Sequence, residues 1–334
     1  MSSSEGKASS EWRCRGQYHR LVLFYVFLLE VRVMSSLRGA HLGMLLWAFL
    51  VGLSFPVVGW LNALPPLQLT ALRFAVACAG LWWLARRSPD FWPAWRTLPL
   101  YGVMGLCLAG FFAAMFWAAH RATALSMATL YVTVPLQAYA MGLVLGVERR
   151  AWRMPAILLL GACGALLLAL AEAMVEGGAL QLGHGEAVFF FGCMASALYP
   201  VVSKWGLSSG RLASSAAVRT FWSLALGGGL IGALGLAIEP ASEIAAMGMR
   251  DALLLVYLGL GSSALTFWLM QRATAVLTPG VVTAYGYLVP FVSMLLLFAR
   301  SPQHIGWVWL PGSLAVLVAM ALLMWRERPA PPAG

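Results

Sequence analysis

The sequence predicts an all-α integral membrane protein: ten transmembrane helices built as two inverted five-helix repeats. Composition is the first reason. Of 334 residues 61% are hydrophobic and only 10% are charged, with a mean hydropathy of +0.81, whereas a soluble globular chain is nearer a quarter charged. The second reason is length: after Arg38 ten apolar runs follow one another, each about as long as a helix must be to cross hydrocarbon, and a helix satisfies its own backbone there. The third is duplication. Phe116-Trp117-Ala-Ala-His120-Arg121-Ala122-Thr123-Ala124 returns 151 residues later as Phe267-Trp268-Leu-Met-Gln271-Arg272-Ala273-Thr274-Ala275.

Residues 1–38 read as an N-terminal extension. It is polar and basic up to residue 20, and its apolar run from Leu21 to Val33, broken by Glu30 and Arg32, falls short of the roughly 20 residues a span needs. No small-residue cleavage site follows cleanly, as a signal peptide would require. Met34, followed by Ser-Ser-Leu-Arg and then the first long span, is the expected initiator.

The first repeat, 39–173, carries spans at about 39–60, 67–85, 98–118, 123–146 and 154–172. The second, 184–326, carries spans at about 185–204, 213–238, 251–270, 276–299 and 306–325, and 327–334 is expected to be a cytoplasmic tail. Landmarks pair between the repeats in the same order with a slowly growing offset. Pro56 pairs with Pro200 at 144, Arg73 with Arg219 at 146, Pro135 with Pro290 at 155 and Pro155 with Pro311 at 156. Anchors that stay collinear over both halves mark an internal repeat.

Lysine and arginine set the orientation. With the N-terminus in the cytoplasm, Arg86, Arg87, Arg96, Arg149, Arg150, Arg153, Lys204, Arg211, Arg272, Arg326 and Arg328 lie inside, and only Arg121, Arg250 and Arg300 outside, as the positive-inside rule prefers. Both termini are expected in the cytoplasm. Five spans per repeat is an odd number, so the second copy enters the bilayer from the opposite side. Halves related in that way form a shared site near the midplane and rock around it.

The net charge of +10 does not point to nucleic acid, because the cations are scattered between apolar runs rather than gathered on one face. The partners expected are a small-molecule substrate and the lipid bilayer, with a second copy of the chain, as a homodimer, left open. Five separate cysteines, Cys14, Cys78, Cys107, Cys163 and Cys193, form no pair or cluster with the spacing of a zinc site or a disulfide framework. Neither a metal nor a cofactor is called for. Hydrolase, metalloprotease and phosphate-loop signatures are absent, so the chain is read as no enzyme. His41, His120, His184 and His304 fall near span ends, where solvation at the interface accounts for them.

Candidate hinges are the matched prolines Pro56, Pro135, Pro200 and Pro290, since prolines at corresponding places in two inverted halves point to a transport site. Trp47, Tyr131, Tyr199, Trp268 and Tyr285 lie deep or beside a proline, where a buried hydroxyl or indole N–H needs a partner. With Gln137 they are read as substrate-binding. Arg73 and Arg219, the cations well within spans, complete the set, because an intramembrane cation is a functional candidate by default. Gly142 with Gly146, Gly161 with Ala165 and Gly228 with Gly232 are read as close helix contacts. No carboxylate lies at mid-depth, which favours facilitated transport or weakly coupled export.

Several of these features together resemble the EamA-type, ten-helix branch of the drug/metabolite transporter superfamily. They are Gly43 to Trp47 leading to Pro56, Ala-Leu-Arg-Phe at Arg73, the hairpin ending Val134-Pro135, and Leu-Gly-Val-Glu at 145–148, close to that family's Leu-Gly-Glu. The second half departs from the pattern, with Arg300-Ser-Pro-Gln303 where an acid is expected. The resemblance implies an inner-membrane exporter of amino acids or related metabolites, working by alternating access through a central aromatic-lined cavity in the bacterial cytoplasmic membrane. A multidrug or quaternary-cation exporter, a nucleotide-sugar carrier, and a membrane scaffold or receptor are the other readings; the lack of a buried carboxylate weighs against the first of these.

Overall fold

The computed structural model describes residues 37–60, 65–176, 180, 183–240 and 247–327. The extension before residue 37, the initiator question at Met34 and the tail beyond Glu327 lie outside the described residues. Every regular element among them is helical. Ten helices are long and apolar enough to cross a membrane, and the chain is a multi-pass membrane protein. They are α1 (Leu37–Gly59), α2 (Pro66–Ala85), α3 (Leu98–Ala119), α4 (Ala124–Val144), α5 (Arg153–Glu176), α6 (His184–Ser208), α7 (Ala216–Ile238), α8 (Met249–Val276), α9 (Pro279–Arg300) and α10 (Trp307–Arg326).

Local chemistry sets several of these ends. Proline stands in the first turn of α2, α3 and α9, where its missing N–H would have had no partner anyway. The Thr123 side chain accepts from Ser126 N at the start of α4, an N-cap supplied by the repeated Arg-Ala-Thr-Ala string. Carboxylates reach across from distant segments to do the same job. Leu67 N and Gln68 N donate to the two oxygens of Glu239 at 2.9 Å each, and Gly280 N donates to Glu148 Oε1 at 2.7 Å. An anion at a helix N-terminus meets unpaired N–H groups and the positive end of the dipole.

Three pairs of helices pack on each other antiparallel. Along α2 and α7, Ala71 faces Gly232, Phe74 faces Gly228, and the Trp82 ring lies 5.6 Å from that of Phe221. Along α5 and α10, Gly161 lies by Ala319, Gly164 by the backbone of Val316, and Gly312 by the Leu168 side chain. α4 and α9 touch at Tyr131 with Gly286 and at Tyr139 with Gly280. Around these pairs α3 packs on α6 and α7, and α8 packs on α1 and α2.

Where backbones come closest, only glycine fits. A Cβ on Gly105 would stand 2.7 Å from Gly227 N, and one on Gly164 2.7 Å from Val316 N, the small-residue contact of membrane helices. Gly228 and Gly232 meet α2, and Gly161 meets Tyr287 and α10, as the four-residue spacing predicts. Gly146 differs: its φ of 69° places it in the left-handed turn after α4, with no atom within 4 Å of a Cβ there.

The helix ends carry arginine–tryptophan stacks. Arg87 lies 3.2 Å from the centroid of the Trp83 ring, Arg121 4.2 Å from Trp117, Arg211 4.8 Å from Trp205, and Arg300 of α9 5.7 Å from Trp60 just beyond α1.

Candidate functional site at two interrupted helices

Two of the ten helices are broken near their middles. α4 consists of Ala124–Tyr131 and Val134–Val144 with a turn between them, and α9 passes through a tighter 3-10 turn at Tyr285–Tyr287 before resuming at Leu288. Each break lies just before a matched proline. Proline has no N–H to give, and its ring collides with the carbonyl four residues earlier: that of Tyr131 for Pro135, and that of Gly286 for Pro290. These two residues touch. A Cβ on Gly286 would stand 3.6 Å from Tyr131 Cε1.

The other two prolines do not break their helices. Pro200 lies inside the continuous 25-residue α6, and Pro56 lies within α1, which runs on to Gly59. Neither Pro56 nor Pro200 therefore marks a helix break, as the sequence had offered for all four prolines. One proline removes one rung of the ladder, and a long helix packed against its neighbours absorbs the loss. In α4 and α9 a second weakness coincides with the proline. Thr133 Oγ1 donates to Leu130 O at 2.6 Å, competing with the helix ladder, and Gly286 adds glycine's low helix propensity.

Polar groups gather at the α4 break. Gln137 Nε2 donates to Thr133 Oγ1 at 2.8 Å, while Gln137 Oε1 is buried without a partner. Tyr131 is half-buried, its ring 6.0 Å from Phe111 and its hydroxyl bonded to the Ser196 side chain. At the α9 break Tyr285 is fully buried in one apolar cluster with Trp47, and Trp268 bridges that cluster to a second one around α2, α3 and α7. Trp47, Tyr131, Gln137, Trp268 and Tyr285 thus lie on elements that meet at the two breaks.

Tyr199, Arg219 and Arg73 are placed elsewhere. The Tyr199 hydroxyl shares a 3.0 Å hydrogen bond with Ser223, and its ring meets Phe267 edge-on at 5.9 Å. Arg219 is fully buried. Its guanidinium donates to Ala213 O, Ser214 O and Gln271 O at 2.7 Å each and to Gln271 Oε1 at 3.1 Å. Because α7 begins at Ala216 rather than 213, Arg219 stands in its first turn and ties that turn to α8. Four of its five N–H donors are used within the protein, which gives Arg219 a structural role at this junction. Arg73 makes one hydrogen bond, to Ser262 Oγ at 3.3 Å, where α8 widens into a π-helical segment, Leu258–Leu265; its Nε has no partner.

Two residues near the site carry more than the sequence suggested. His41 does not sit in solvent at the interface: it is 5% exposed, and its Nδ1 shares a 2.6 Å hydrogen bond with the Tyr285 hydroxyl. Glu148 is buried as well, and burial raises its carboxyl above the ordinary carboxylate value, opposed by the bonds from Gly280 N and the Thr278 side chain and by Arg326. Nothing in the local sequence marks His41, since its burial comes from α9, 244 positions away.

Comparison of the sequence with known protein families and with characterised proteins gives no match. The fold has a solved counterpart. A crystal structure described only as that of a protein superposes with a TM-score of 0.71 at 19% identity, over 88% of this chain and 100% of its own.

Proposed function

We propose that the protein is a secondary transporter of the drug/metabolite type, made of two inverted five-helix halves that rock about the meeting point of α4 and α9. The observation that carries this reading is the contact of Tyr131 with Gly286. These residues occupy the same position in the two copies, and a residue that touches its own counterpart lies on the axis relating them. Antiparallel packing of α2 with α7 and of α5 with α10 supports inversion, since halves related by an axis along the membrane normal would pair their equivalent helices in parallel. The other contacts support a twofold relation: exchanging each helix with the one five further on turns α3 against α6 into α8 against α1, and α3 against α7 into α8 against α2.

Broken helices facing each other at mid-depth form the kind of binding site that inverted-repeat carriers use. Half-buried Tyr131, Trp268, Gln137 and Thr133 offer flat apolar faces with a few polar groups. That suits amino acids or related small metabolites, exported across a bacterial cytoplasmic membrane with both termini inside, and no enzymatic step or cofactor. Counterflow in proteoliposomes with labelled amino acids, sugars and organic cations tests the reading. Saturable exchange of an amino acid that is lost on Tyr131→Ala supports it, and flux of none of them removes it.

A further inference from the structure

We propose that His41 carries a proton that couples transport, so that the protein exchanges a solute for H⁺. This inference rests on the transporter reading above. Among the described residues every carboxylate lies in a loop or within the first or last turns of a helix, which leaves no acid at mid-depth to carry the proton. His120 and His184 are exposed and His304 is half-buried. His41 is the histidine enclosed within the bundle.

Its surroundings fit the role. One ring nitrogen is fixed by Tyr285, the first residue of the α9 break, and the other, Nε2, is buried with no hydrogen-bond partner. A buried polar atom left unpaired is costly, and a ring nitrogen is the one such atom whose cost depends on pH in the physiological range. The apolar cluster around Tyr285 includes Met44 and Trp47 of α1, Leu158 of α5 and Leu277 after α8. Titratable groups on the packed elements are Tyr285 and Tyr287 of α9, the latter with its own hydroxyl unpartnered, and Tyr139 of α4, which accepts from Ala151 N. Of the charged groups at this end, Arg272 lies over Trp268, Arg326 donates to Met154 Sδ, Glu148 accepts from Gly280 N and Lys204 donates to Ala275 O, while Arg38 of α1 is exposed.

The proton balance is simple. With Nδ1–H donating to the Tyr285 oxygen, the neutral ring keeps a lone pair on Nε2. One H⁺ adds there, no other bond breaks, and the ring gains one positive charge. A cation has no counter-charge in this cluster, so protonation favours the arrangement in which α1 and the α9 break separate and the ring meets water. Loss of the proton on the other side restores the contact. Because Tyr285 is adjacent to Gly286, the event takes place next to the contact with Tyr131.

Proteoliposomes with an acid lumen, a clamped membrane potential and labelled leucine, phenylalanine and threonine in a bath one pH unit higher test this. One-for-one exchange sustains about tenfold accumulation per unit of gradient. The expected result is accumulation of a label by the wild-type protein, and in His41→Gln a loss of accumulation with counterflow at equal pH retained. Gradient-driven accumulation that survives in His41→Gln, or wild-type flux indifferent to the gradient, overturns the proposal. If no label moves, the amino-acid reading fails by itself, and the proton is followed instead by ¹⁵N-histidine NMR in nanodiscs. A His41 signal that gains its proton on Nε2 between pH 5 and 9, with a midpoint displaced by Tyr285→Phe, supports the proposal. A ring that stays neutral in one tautomer over that range overturns it.

Discussion

Tyr131 rests against Gly286, its own counterpart in the second half of the chain, with 3.6 Å between the tyrosine ring and the place a Cβ would take on the glycine. Each is also the residue whose carbonyl a proline four positions later cannot bond. The two helix breaks therefore meet at one pair. Pro290→Ala would return an N–H to the Gly286 carbonyl and favour an unbroken α9. The expected outcome is a protein at least as stable as wild type in a thermal melt, with counterflow greatly reduced. Full transport with a regular α9 would show that the break is incidental.

Space at Gly286 gives a graded version of the same test. Alanine there meets Tyr131 at ordinary van der Waals distance and is expected to be tolerated. Leucine must displace the ring, and overpacking of this kind costs about 1–3 kcal/mol. Counterflow is expected to fall in the order glycine, alanine, leucine, with thermal stability following only the last step.

Arg219 answers to a structural role. Arg219→Met leaves the carbonyls of Ala213, Ser214 and Gln271 without their donor, and one orphaned buried acceptor alone costs about 1–3 kcal/mol. The melting temperature is expected to drop by several degrees and the yield of folded protein with it. The KM of the fraction that folds should stay at the wild-type value; a raised KM at unchanged stability would return Arg219 to the binding site.

Glycine contacts between α5 and α10 separate close packing from mere spacing. Gly164→Ala puts a methyl 2.7 Å from Val316 N, whereas Gly102→Ala has nothing within 4 Å. Melts should show the first destabilised and the second unchanged or slightly stabilised, since alanine is the better helix former.

Glu148 gives the fold a pH dependence of predictable sign. Burial raises its carboxyl above the ordinary 4.5, so between that value and the raised one the folded protein binds more proton than the unfolded chain. Stability is then greatest below 4.5 and declines as pH rises through the window. Glu148→Gln, which still accepts from Gly280 N, should flatten this part of the curve of melting temperature against pH. An identical slope in both proteins would assign the effect to another group.

The ten helices were legible because hydropathy over some twenty residues is set by the bilayer and not by neighbouring helices. Pro135 and Pro290 were legible as a pair for the same local reason, a lost rung in each copy. Pro56 and Pro200 carry the same signal without the same result, because whether a helix gives way depends on what else weakens it, as Thr133 and Gly286 do. The bonds of Arg219 were not legible, because the start of α7 at Ala216 places it beside the preceding loop, where it donates to the carbonyls of Ala213 and Ser214. His41 could not be read at all: four positions into a helix it has the look of an interfacial residue, and only the arrival of Tyr285 from the other half encloses it.

The arginine–tryptophan stacks at the rims moor the bundle. An indole with a guanidinium above it is held at the boundary of water and lipid, resisting displacement in either direction. A helix end secured in this way keeps its depth while the slope of its helix varies. A bilayer whose boundary departs from the level of these stacks would load the helices that carry them, and membrane thickness becomes a control on how easily the protein changes shape.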